Sequence, residues 1–158
     1  MRAPFQRLLF PFRKRPTGEF EFAALKRADD GNWQAISGGG EGDETPEQTA
    51  VREGIEEAGI NDKMKFYRLD SINTIPKHNF QPNQQWPLDL LVVPEYTFAI
   101  DCTGFELKLS AEHTRLYWGS FSEMHRQFTW DSNRNALWEL HERLQKDLLA
   151  DRLFNQNH

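Results

Sequence analysis

The chain has 158 residues, 38% hydrophobic and 27% charged, the composition of a globular protein able to bury a core rather than of a disordered one. A net charge of −5 argues against a partner such as DNA or RNA, whose backbone asks for a basic face, but permits a small anion handled through a metal ion. Cys102 is the single cysteine, which excludes an internal disulfide and a cysteine-rich zinc site and accords with a reducing cytoplasm.

The opening stretch "MRAPFQRLLFPFRKR" is basic around a short apolar middle. That middle is broken by Pro11 and lacks a small-residue cleavage site, so it reads as a β-strand rather than a signal peptide. No run approaches the roughly 20 apolar residues that cross a membrane, and none is expected as a partner. Leu8, Phe10 and Phe12 alternate with their neighbours, as do the residues of "EFEF" at 19–22, and "PTG" at 16–18 joins the two as a hairpin. "NWQAIS" (32–37) reads as a further strand, followed by a flexible loop "GGGEGDE".

A helix is then marked at both ends. Thr45 is a good N-cap, Pro46 suits the first helical position, and Gln48 completes a capping box with Thr45. Gly59 is placed to close the helix in the left-handed conformation, giving a span of Pro46–Ala58. Strands are expected near 65–75, 90–100 and 114–119, with Pro94 marking a bulge or an edge. A last helix is expected over Ser132–Leu149, with Leu137, Leu140, Leu144 and Leu148 on one stripe. Strands, helix, strands and helix in that order imply an α/β fold with a mixed sheet between helices. No repeat or linker interrupts the chain, so residues 1–158 are expected to form a single domain, as monomer or homodimer.

The central helix carries the chemistry. At 100° per residue Glu53, Glu56 and Glu57 share one face, while Val51, Ile55 and Ala58 fall opposite and are expected to pack on the sheet. Clustered carboxylates repel, and a hard divalent cation such as Mg²⁺ or Mn²⁺ relieves that repulsion. A solvated acidic face is the alternative reading, but it has no use for a glycine-rich approach and a well-capped helix start.

Gly38, Glu44, Arg52, Glu53, Glu56, Glu57, Gly59 and Ile60 stand in the order and spacing G, five residues, E, seven residues, REUxEExGU, where U is a bulky aliphatic residue. This resembles the Nudix box, and the resemblance implies an α/β/α sandwich and a Mg²⁺-dependent hydrolase of nucleoside diphosphates linked to another group. "NWQAISGG", "SAEHTRLYW" and "TWDSNRNALWEL" extend the resemblance toward the bacterial dATP pyrophosphohydrolase and dihydroneopterin triphosphate pyrophosphatase branch. Carried over position by position, Glu53, Glu56 and Glu57 are the implied metal ligands, joined by a backbone carbonyl at Ser37 or Gly38. Arg52 orients them, and Glu44 supports the loop. Glu112 is implied as a further ligand or as the base that activates water, against the alternative of an ordinary loop acid, and His113 as a structural partner.

Lys26, Arg27 and Arg134 are candidates for phosphate contacts, Gly38 and Gly39 for close backbone approach, and Trp33 for stacking on a base, although packing is the commoner use of tryptophan. The polar segment 73–89 suits a substrate lid. The expected substrate is a nucleotide or pterin triphosphate, the alternatives being a dinucleoside polyphosphate or a module that binds nucleotide without cleaving it. One position departs from the box: Gly54 stands where a bulky aliphatic residue belongs, so either a neighbouring aromatic fills the space or the helix sits closer to its neighbour.

Overall fold

The computed structural model describes residues 1–80, 82 and 85–154. Eight strands among them form one mixed sheet: β1 (Arg2–Lys14), β2 (Phe20–Arg27), β3 (Trp33–Gln34), β4 (Ile36–Glu41), β5 (Phe66–Pro76), β6 (Val92–Asp101), β7 (His113–Gly119) and β8 (Leu153–Phe154). Helix α1 (Pro46–Ala58) covers one face, and α2 (Phe121–Gln127) with α3 (Asp131–Gln145) lies with the other. The result is the expected α/β/α sandwich.

β1 is the axis of the sheet. It pairs in parallel with β6 (Gln6↔Glu95 through Phe12↔Asp101) and antiparallel with β4 through its first half. Its last residues form the expected hairpin with β2 (Phe12↔Phe22), and β2 continues outward to β3 and β7. β5 joins the far side of β6, with β8 beyond it. Because both faces of the sheet are covered, β1 is apolar on both: Leu8, Phe10 and Phe12 pack with α3, and Leu9 packs with α1.

Helix α1 has the predicted bounds, capping box and terminator. Thr45 Oγ1 accepts from the Gln48 amide, the Gln48 side chain accepts from the Thr45 amide, and Gly59 closes the helix at φ 68°. The Ile60 and Gly59 amides donate to the carbonyls of Gly54 and Ile55, so the last turn is satisfied.

Several expectations are corrected. Gly38, Gly39 and Gly40 do not form a flexible loop; they are β4 residues hydrogen-bonded into the sheet against β1. Side chains of β1 and α1 occupy the space their Cβ atoms would fill, with Phe5 against Gly40, Arg2 against Gly39, and Arg7 and Glu53 against Gly38. Ile55 does not pack on the sheet but is exposed, and Gly54 takes the buried face instead. A Cβ on Gly54 would stand 3.0 Å from Leu9 Cδ2, so the helix sits closer to the sheet and Leu9 and Ile60 line the gap.

Pro94 lies neither at a bulge nor on an edge strand. β6 is interior, but Pro94 precedes the stretch paired with β1 and so has a neighbour on one side only, where its missing amide is tolerated. The bulge falls in β5, where residues 68 to 72 span β6 residues 98 to 96. The last helix ends at Gln145, not Leu149, so Leu148 is exposed while Leu137 and Leu140 are fully buried. Asn73–Pro76 of the proposed lid belong to β5, and Trp86 is tied down by its Nε1 donating to the Arg2 carbonyl at 3.0 Å. Residues 81, 83 and 84 of that segment lie outside the described residues.

Candidate active site

Strand β4 leads into a tight turn held by Glu44, and α1 rises from it. This turn sets the acidic face of the helix beside the glycine backbone. Glu53, Glu56 and Glu57 each present a carboxylate oxygen, and the set lies within 4.8 Å. The donors are all oxygen and they converge, so the set fits a hard divalent cation.

Two arginines grip Glu53 from different sides. Arg52 lies on the helix itself: Nε is 2.7 Å from Glu44 Oε2, and Nη1 is 3.2 Å from both Glu53 Oε1 and Glu56 Oε2. Its Nη2 donates to Glu44 Oε1 at 3.0 Å and to the Gly39 carbonyl at 3.2 Å, fastening helix to strand. Glu44 also accepts from the Glu41 amide and the Thr49 hydroxyl, and the Arg52 contact holds its carboxyl below the usual range. Arg52 thus contacts Glu44, Glu53 and Glu56 at once, and Glu44 ties the turn to the helix.

The second arginine, Arg7, was not among the residues read from sequence. It projects from β1 toward α1, is completely buried, and places Nη2 3.3 Å from Glu53 Oε2. Nη1 donates to the Ile36 carbonyl at 2.5 Å, whereas Nε and Nη2 have no aligned acceptor. Burial pulls its pKa down to about 10, still far enough above neutrality to keep the guanidinium charged. Glu53 itself is pushed up by burial, with Arg7 and then Arg52 opposing. A Cβ on Gly38 would lie 2.7 Å from Glu53 Cδ and 2.8 Å from Arg7 Nη2, so only glycine admits both side chains against the strand. The visible signal was a lone cation inside the apolar run "RLLF".

Glu57 is buried and partnered by the segment before β7. Its Oε2 accepts from Ser110 Oγ at 2.6 Å, its carbonyl accepts from the Ser110 amide, and His113 Nδ1 lies 3.7 Å away. Burial lowers the His113 pKa, with Glu57 pulling the other way, which leaves the imidazole neutral at pH 7. Glu112, two residues beyond Ser110, meets Glu57 carboxyl to carboxyl and is pushed up by burial first and by Glu57 second. It lies outside the 4.8 Å set but lines the same cavity as Glu53.

That cavity, about 560 Å³, runs past Ser37, Gly38 and Gly39 and carries two cations, Arg2 and Arg27. Arg27 is held at its mouth by Asp29 through bonds of 2.9 and 3.0 Å. The other sequence candidates sit elsewhere. Lys26 is not among the lining residues, because alternation along β2 turns it away from the side that Arg27 faces. Trp33 lines a separate depression with Tyr117 and Arg126. Arg134 is committed to Asp131 at 2.7 Å and to the His125 carbonyl. It is Trp130 that stands at the cavity wall.

Comparison with known proteins agrees with this fold. Residues 12–139 match the NUDIX domain family. A NUDIX hydrolase of Listeria monocytogenes superposes with a TM-score of 0.84 at 42% identity, covering 93% of this chain and 98% of that one. The Escherichia coli dihydroneopterin triphosphate pyrophosphohydrolase (TM-score 0.72, 20% identity, 89% and 97% covered) and a Caenorhabditis elegans Ap4A hydrolase (0.70, 19%, 89% and 97%) share the fold. With the family matched over most of its length, the chain belongs to the Nudix family and is a hydrolase of phosphoanhydride bonds.

Proposed function

We propose that the protein is a pyrophosphohydrolase that cleaves a (deoxy)nucleoside triphosphate such as dATP, or dihydroneopterin triphosphate, to the monophosphate and pyrophosphate. Residues 1–158 act as one cytoplasmic unit with Mg²⁺, or Mn²⁺ in its place. The observation that carries this reading is the converging oxygen set of Glu53, Glu56 and Glu57 at the end of a cavity lined by Arg2 and Arg27.

When bound, the divalent ion would supply positive charge to the phosphate oxygens and to the water that attacks phosphorus. The chain does the rest. Arg52 and Arg7 hold Glu53 in place, and Ser110 holds Glu57. The backbone of Ser37 and Gly38 offers a further oxygen beside the carboxylates, and Gly39 admits the Arg2 guanidinium against the strand, where it faces the phosphate chain. Arg27, fixed by Asp29, meets phosphate oxygens at the mouth. Glu112 accepts the proton of the attacking water, a task suited to a carboxyl with a raised pKa. The water oxygen bonds to the α- or β-phosphorus, the bond from that phosphorus to the bridging oxygen breaks, and its electron pair leaves on the pyrophosphate or the monophosphate respectively.

The test is a panel of dATP, the other nucleoside triphosphates, dihydroneopterin triphosphate and diadenosine polyphosphates with Mg²⁺, scoring pyrophosphate and phosphate separately. Pyrophosphate from a triphosphate is expected. Cleavage of dinucleotides alone moves the protein to that substrate class, and tight binding without turnover would make it a binding module.

A further inference from the structure

A second cavity of about 400 Å³ opens from the first, sharing Gln6, Gln34, Ser37 and Trp130 with it. It lies on the α3 side of the sheet, between β1, β5 and β6 and the start of α3. Its chemistry differs from that of its neighbour. The first cavity carries Arg2 and Arg27, whereas no Lys, Arg or His is found among the described residues lining the second. Phosphates belong in the first, and an uncharged group joined to them enters the second.

On the floor of the second cavity lies Glu95. The register of the central strands sets Gln6, Glu95 and Asn73 side by side, and Ser132 approaches from α3. Glu95 is 5% exposed, and its Oε1 is buried without a hydrogen-bond partner. A buried carboxylate oxygen left unpaired is costly, and such a group is retained where a ligand completes it. Nothing in the phosphate chemistry uses it. Burial, opposed by Ser132 and Asn73, pushes its pKa up to about 7, as expected of an acceptor still waiting for donors.

We propose that Glu95 selects the heterocycle of the substrate: its carboxylate accepts the paired N–H donors of a 2-amino-4-oxo ring edge, the edge shared by guanine and pterins. A ring N–H and the adjacent exocyclic amine present two donors side by side, and an ionised carboxylate presents two acceptors at matching separation. The neighbouring ring oxygen is an acceptor, served by the amide of Asn73 or the hydroxyl of Ser132. Trp130, half-exposed at the junction of the two cavities, offers the ring a stacking face. An adenine edge pairs a donor with an acceptor and leaves one carboxylate oxygen unmet. The assignment deepens the pyrophosphohydrolase reading and rests on it only for placing the phosphates.

The experiment is calorimetric binding of reaction products to the full chain with Mg²⁺, which requires no turnover. dGMP, dIMP (the same ring without its 2-amino group), dAMP and dihydroneopterin monophosphate are compared on the wild type and on Glu95→Gln. The wild type is expected to bind dGMP, dihydroneopterin monophosphate or both about 10- to 100-fold more tightly than dIMP, the range for hydrogen bonds to a charged group. The tighter of those two ligands identifies the source of the ring. In Glu95→Gln, where one acceptor becomes a donor, the gap is expected to close to within about threefold, and dAMP to gain on dGMP. A wild type that binds neither dGMP nor dihydroneopterin monophosphate more tightly than dIMP overturns the proposal, as does a gap that survives in the variant or an absence of binding by every product. The wild-type comparison stands even if the variant does not fold. Discrimination in binding without hydrolysis of any triphosphate would refute the function proposed above while upholding the role of Glu95.

Discussion

Arg7 allows the charge balance of the site to be tested without substrate. Its guanidinium lies 3.3 Å from Glu53 Oε2 and is fully buried, whereas the Glu53 side chain keeps 14% of its exposure. At that distance and an effective dielectric constant near 20, the direct attraction is about 5 kcal/mol. Glu53 also has Arg52 at 3.2 Å and some access to water, and these take up roughly half of what Arg7 supplies. The expected coupling is therefore about 2 kcal/mol, above the range of exposed pairs and below that of a pair sealed from solvent.

Single substitutions mix this attraction with the burial cost of each charge, so the measurement is a double-mutant cycle of Arg7→Met, Glu53→Gln and the double variant. Urea unfolding of each, metal-free at low ionic strength, isolates the coupling. Arg7→Met alone should cost less than the coupling, because it also removes a guanidinium whose charge burial disfavours. A coupling below about 0.5 kcal/mol would refute the reasoning, for the buried cation would then be neither holding nor neutralising Glu53.

Glu57→Gln should lower the rate of triphosphate cleavage at least about 100-fold in steady-state assays, while Ser110 retains a partner and the fold is kept. Gly38→Ala should do the same by displacement, since its Cβ would stand 2.7 Å from Glu53 Cδ, and should cost about 1–3 kcal/mol in urea unfolding. Gly54→Ala meets Leu9 Cδ2 at 3.0 Å but gains about 1 kcal/mol of helix propensity, so stability should stay within about 1 kcal/mol and activity within about threefold. Glu95 is held above the carboxylate value in the folded state, so the native protein binds the extra proton and stability should fall as pH rises from about 4.5 to about 7. The loss is at most about 3 kcal/mol and is absent from Glu95→Gln, as denaturant titrations at pH 5 and pH 8 of both proteins would register.

What could be read from the sequence was whatever local chemistry dictates. Helix α1 is marked at both ends by its own residues, so its bounds, capping box and left-handed Gly59 were legible to the residue. The hairpin from β1 to β2 was legible for the same reason, as alternation on either side of a turn. The three glycines after Ser37 misled, because glycine marks flexibility only when nothing is packed against it. Here Phe5, Arg2, Arg7 and Glu53 fill the space where side chains would be, and that filling comes from β1 and α1, remote in sequence. Ile55 misled because the helix tilts its Gly54 flank onto Leu9, an orientation set by tertiary contact rather than by periodicity. The Ser120–Glu123 capping box of α2 is present in the sequence but opens a helix of only 7 residues, too short for periodicity to mark it. Arg7 and Glu95 are of one kind, charges buried within the central strands. Such charges are legible as anomalies, but their partners emerge only when the strands are assembled.

The crowding of carboxylates on α1 is resolved unevenly, and the unevenness bears on the chemistry. Glu53 is flanked by Arg7 and Arg52, and Glu56 touches Arg52, so the protein itself supplies cations to two of the three. Among the described residues the groups nearest the Glu57 carboxylate are neutral, the Ser110 hydroxyl and a histidine that burial keeps unprotonated, and beside it stands a further carboxyl on Glu112. Two carboxylates meet there, and the cations that reach them, Arg7 at Glu57 and Arg27 at Glu112, act through space, with no ion pair to either among the described residues. Under the proposed function the unmet charge therefore lies between Glu57 and Glu112. The arginines at Glu53 build rigidity into one side of the site, and the deficit at the other side is what draws a divalent ion and, with it, the polyphosphate.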